Sequence, residues 1–170
     1  MERSPDQTRL LLPPVSSIVA ADAAGLAMEQ AVRQLFTRYA QFFERALAGA
    51  PDGDEIATLY APEFIAAGPA GVRTGHNDAT FRAAMTQGYD HYRAIGTQSM
   101  RIRDIRISPI DDLHCIAHVA WRATYARDDL AETAIDFDVH YLVQLQDGAA
   151  RVFGWVAGDE QAALRARGIL

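Results

Sequence analysis

Apolar residues recur every three or four positions from Met28 to Ala48. Val32, Phe36, Tyr39, Phe43 and Leu47 form one stripe, with Arg33, Arg38 and Glu44 on other faces. That spacing predicts an amphipathic helix, which Gly49 and Pro51 stop. Asp54 is placed to cap a short second helix over 55–61, ended by Pro62. Phe64 to Arg73 is short, apolar and Gly-rich, and reads as a strand or extended turn around Gly68-Pro69. A third helix over 78–95, capped by Thr74 or Asn77, carries the stripe Phe81, Met85, Tyr92 and Ile95, and Gly96 closes it.

The period then changes to two. Segments 99–110, 113–126, 133–146 and 150–157 alternate, separated by Asp111-Asp112, Arg127-Asp128-Asp129 and Asp147-Gly148, which are turn residues. Links this short predict antiparallel neighbours. Within 113–126 and 133–146, Cys115, Trp121, Phe137 and Tyr141 share the odd parity and so face inward over the helices. His118, Arg122, Asp136, Asp138 and His140 share the even parity, facing outward beside Ile116, Ala120 and Leu142. In 99–110 the apolar parity switches between Ile102 and Ile105, which predicts a bulge near Arg103-Asp104. Asp159 is placed to cap a last short helix ending at Gly168. The expected fold is α+β: three helices in the concave side of a curved, mostly antiparallel sheet, with a short C-terminal helix.

Residues 1–27 read as a loosely packed N-terminal arm before a domain over 28–170. Arg3 and Arg9 precede an apolar run as in a secretory leader, but Glu2, Asp6 and Pro13-Pro14 break that pattern. A cytoplasmic protein is expected. No stretch approaches the roughly 20 apolar residues of a membrane span. The formal net charge of -6 argues against a general nucleic-acid binder. All 16 Lys and Arg residues are Arg, which removes amine chemistry such as Schiff bases. The single Cys115 excludes an internal disulfide and reads as core.

The order of elements resembles the nuclear transport factor 2-like, cystatin-like cone fold of SnoaL-like cyclases and ketosteroid isomerases. Leu59-Tyr60-Ala61-Pro62-Glu63-Phe64, Gly71-Val72-Arg73-Thr74-Gly75 and Val152-Phe153-Gly154-Trp155-Val156 are similar to family landmarks. The resemblance implies a pocket inside the cone for a small-molecule ligand and a homodimer through the outer sheet face. The isomerases place a general-base Asp before a Pro, where this chain has Gly68. They also place an acid inward on a late strand, where it has Phe137; a shift of one residue would bring in Asp136 or Asp138. Ketosteroid isomerisation is therefore not expected.

Phe36, Tyr39, Phe43, Tyr60, Tyr92, Trp121 and Tyr141 are the candidate ligand-binding residues; an ordinary aromatic core is the alternative. No inward carboxylate stands out, so His76, ahead of the third helix, is the candidate proton-transfer residue. His118, His140 and Asp138 could hold a metal. A polar outer face with Arg122 paired to Asp136 or Asp138 explains them better, and Arg101, Arg103 and Arg106 read as outward-facing too. Neither metal nor cofactor is expected, and a non-catalytic accessory module with a filled cone is the rival function.

Overall fold

The computed structural model describes residues 15–170, with side-chain burial from residue 23 onward. The first helix, α1, runs Val15–Leu47, thirteen residues earlier than its stripe. Met28 is its first buried side chain, and residues 25–27 are exposed. Of the expected arm, residues 1–14 lie outside the described residues and 15–27 are helix.

The second helix, α2, is Gly53–Ala57, capped by Asp52 rather than Asp54. Arg45 holds Glu55 at 2.6 Å and Arg38 donates to Thr58 at 2.7 Å, tying α2 to α1. The ambiguous segment after it is two strands. Tyr60–Gly68 (β1) turns at Pro69-Ala70 into Gly71–His76 (β2). Helix α3 is Ala79–Ala94 with Asp78 as its cap, one residue beyond the expected Asn77. Asn77 instead donates to the carbonyls of Ala57 (2.7 Å) and Tyr60 (3.2 Å), joining α2 to β1.

Four long strands follow: β3 (Thr97–Pro109), β4 (His114–Arg127), β5 (Leu130–Gln146) and β6 (Ala149–Ala157). The closing helix α4 is Glu160–Ala166, capped by Asp159 as the sequence predicts. The sheet order is β2-β1-β6-β5-β4-β3, antiparallel except for β1 with β6. Ile102 pairs with Trp121 and Asp104 with Ala120, so Arg103 is the extra residue of the expected bulge. Leu142 pairs with Gly154 and Val143 with Val152, which makes Phe153 a second bulge that alternation had not revealed. Bulges bend the strand that carries them, and the inner surface wraps α1 and α3.

The parity reading holds: Trp121 pairs with Phe137 on the inner face and His118 with His140 on the outer. Cys115, Ala117, Val119, Trp121, Ala123 and Tyr125 are all buried. Burial raises the Cys115 thiol to about 11, as for a core cysteine.

Gly96 ends α3 with φ +85, and a Cβ there would meet the Ala126 carbonyl oxygen at 2.8 Å. Gly96→Ala is expected to cost about 1–2 kcal/mol or more. Gly25 lies exposed in α1 with nothing near its Cβ direction, so Gly25→Ala is expected to add about 0.5–1 kcal/mol. Urea unfolding of the two variants checks the opposite signs.

Candidate ligand pocket

The inner face and helices do not close on one another. Between them lies a half-enclosed cavity of about 440 Å³. From α1 it takes Tyr39 and Phe43, from β1 Tyr60, and from α3 Met85, Gly88, Tyr89 and Tyr92. The sheet supplies Trp121, Tyr125, Phe137, Tyr141 and Trp155, and α4 supplies Glu160, Ala163 and Leu164. Six of the seven candidate ligand-binding residues line it. Phe36 does not: it is fully buried, with its ring 4.9 Å from that of Tyr141, and supports the wall from behind.

The rings meet at tilted or edge geometries that aromatic pairs favour: Phe43 with Tyr89 at 4.9 Å, Tyr39 with Trp121 at 5.9 Å and Tyr60 with Trp155 at 5.8 Å. The Tyr39 and Tyr60 hydroxyls are 3.0 Å apart. Desolvation raises both phenols, and that of Tyr141, above the ordinary tyrosine range. They are neutral hydrogen-bonding groups at any physiological pH. Two further polar atoms lack partners, the Tyr89 hydroxyl and Trp121 Nε1.

Carboxylates do reach the cavity, contrary to the sequence expectation: Asp138, Asp159 and Glu160 all line it, the first two exposed. Glu160 is half-buried and accepts the Tyr92 hydroxyl hydrogen bond at 2.8 Å. Desolvation raises its pKa, opposed by the Tyr92 hydrogen bond and the charge of His91. A carboxylate that can gain or lose a proton beside a neutral phenol is a candidate acid–base pair.

His76, the expected proton-transfer candidate, lies away from the cavity. It sits 73% exposed on β2, a sheet edge, 3.8 Å from Glu63, and does not line the cavity. The short Gly71–Gly75 segment pairs with β1 instead of turning toward the cone, and that carries His76 away.

The matching family model is that of an NTF2-like protein (DUF6841), over residues 29–160. The chain belongs to this NTF2-like family. Among solved structures, an NTF2-like protein with a cystatin-like fold from Novosphingobium aromaticivorans matches with TM-score 0.64 at 13% identity, covering 95% of this chain and 97% of its own. A candidate scytalone dehydratase from the same organism matches at TM-score 0.60 and 13% identity, over 79% and 85% of the two chains. A ketosteroid isomerase-like protein from Erwinia carotovora atroseptica matches at 0.54 and 13%, over 76% and 93%. No curated protein matches. At these identities the structural likeness establishes the fold alone.

Within this NTF2-like chain, Gly68 is the last β1 residue before the hairpin turn and does not line the cavity. Phe137 lines it, while Asp136 faces out, gripped by Arg122 (2.6 Å) and Arg103 (2.8 Å). On the same outer face His118 and His140 meet Nδ1 to Nδ1 at 3.0 Å, and Ser108 reaches His118 Nε2 at 3.0 Å. Desolvation, then Arg106 and His140, lowers the His118 pKa. Among the described residues no three His, Cys, Asp or Glu side chains cluster to hold a metal. Nor is any helix there long and apolar enough to cross a membrane.

Tyr89, buried on the cavity side, joins the α3 stripe of Phe81, Met85, Tyr92 and Ile95. It follows Met85 by four residues and precedes Tyr92 by three, a spacing that could have placed it. Glu160 carried no such signal, because α4 meets α3 only through the tertiary fold.

The raised Glu160 pKa means that the folded state holds this proton more tightly than the unfolded chain does. Its contribution is most favourable below the carboxylate range and is lost as pH rises through the raised pKa. Glu160→Gln is therefore expected to raise Tm at neutral pH and to lose that advantage as pH falls below the carboxylate range. Calorimetric scans across that range check the sign.

Proposed function

We propose that the protein binds a small, largely apolar, ring-bearing metabolite inside its cone. The observation that carries this reading is the aromatic-walled cavity of about 440 Å³, within the roughly 300–1,000 Å³ typical of small-molecule sites. A filled accessory module would leave no such space. Apolar surface favours ring burial, and the hydroxyls of Tyr39, Tyr60 and Tyr89 offer orienting hydrogen bonds. If the bound molecule reacts, proton transfer falls to Glu160 and Tyr92, the acid–base pair on the wall. A homodimer through the outer sheet face belongs to the same reading, supported by the exposed Ile65 and Val156 there.

Both tryptophans of the chain, Trp121 and Trp155, line the cavity. Titration with a bicyclic alcohol such as decalol is expected to shift their emission to the blue as water leaves. Gly88 lies on the α3 wall with open space at its Cβ direction. Gly88→Phe is expected to weaken that response at least about tenfold by filling the cavity. Gly88→Ala should retain it and gain about 0.5–1 kcal/mol of helix stability. An unchanged response in a folded Gly88→Phe would contradict the reading.

A further inference from the structure

The charges along the cavity are all of one sign. Its charged lining residues are Asp138, Asp159 and Glu160, and none of its lining residues is Arg or His. The chain has no lysine to reach in from elsewhere. The three acids are not equivalent. Asp159 is occupied as the α4 cap, accepting from the Ala162 N–H at 2.8 Å, and Asp138 is exposed on β5. Glu160 is half-buried on the wall, and its one side-chain hydrogen-bond partner is the neutral Tyr92 hydroxyl. The basic group that acts on it, His91, is exposed on α3 and not part of the lining.

Among the described residues, no Arg side chain pairs with this half-buried carboxylate, and His91 acts on it only from outside the lining. Resting on the reading of the cavity as a ligand pocket, we propose that its ligand is an organic cation, an amine joined to an apolar or aromatic body, with Glu160 as its counter-ion. The walls suit such a ligand twice over. Aromatic faces attract cations through their quadrupole, and Phe43, Tyr92, Trp121 and Tyr125 all lie along the cavity. The unpartnered Tyr89 hydroxyl, on a residue 2% exposed, offers lone pairs to an ammonium hydrogen. The described acids do not gather into a metal site, so a metal ion does not meet the same need. An anionic ligand would meet like charge on the wall and no donor cation.

The test compares three probes that share one ring: naphthylmethylamine, naphthylmethanol and naphthoate, each titrated by calorimetry against the whole chain and two variants. The amine is expected to bind about tenfold or more tighter than the alcohol, as an ion pair with cation–π support allows, and naphthoate more weakly than either. Glu160→Gln should remove the preference for the amine, so that amine and alcohol bind within about twofold of each other in that variant. Glu160→Asp, which keeps the charge, should retain part of it and guards against a folding effect in the first variant. Alcohol binding equal to or tighter than amine binding overturns the cationic ligand and leaves the pocket standing. If no probe binds, the pocket reading and this inference fall together. A preference for the amine that survives in Glu160→Gln overturns the assignment of Glu160 as counter-ion.

Discussion

A phenol can be buried cheaply only if its hydroxyl finds a partner, and the interior of this cone depends on that constraint. Tyr39, Tyr60, Tyr89, Tyr125 and Tyr141 are all buried, on elements that surround one space. Rings give this core its apolar area, while polar tips and rigid shapes keep it from packing solid. Tyr39 and Tyr60 satisfy one another; Tyr89 and Trp121 remain without partners beside the cavity.

The sheet is shaped to keep that space open. The bulges at Arg103 and Phe153 switch side-chain parity partway along β3 and β6. Each lets a strand curl while still presenting apolar residues inward at both ends, so Val152 and Trp155 both serve the interior. The chain end then bounds the space. Arg127 donates to the carbonyls of Ile95 (3.2 Å) and Ile169 (2.9 Å), fastening the segment after α4 to the end of α3. This holds α4 where Glu160 meets Tyr92. The carboxylate therefore depends on contacts between residues far apart in sequence, whereas the aromatic wall depends on local periodicity.

That division explains what the sequence disclosed. A period of two along β4 and β5 placed Trp121, Phe137 and Tyr141 inward, because a sheet with one covered face penalises every slip of register. The parity switch at Ile102–Ile105 located a bulge for the same reason. The α1 stripe separated inner from outer residues but not wall from support, since a helix buried on a broad arc turns Phe36 and Tyr39 toward different neighbours. His76 was misplaced because a short Gly-rich segment carries little pairing information, and here it became an edge strand. Glu160 lies one residue past a correctly read N-cap, yet only the folded chain brings it to Tyr92.

Xenon-pressurised crystals measure the central claim most directly, since the gas occupies open apolar cavities and enters no close-packed core. The account predicts xenon density among Phe43, Tyr89, Trp121 and Phe137. A crystal without that density, in which those side chains meet at van der Waals distance, would show a filled cone and contradict it.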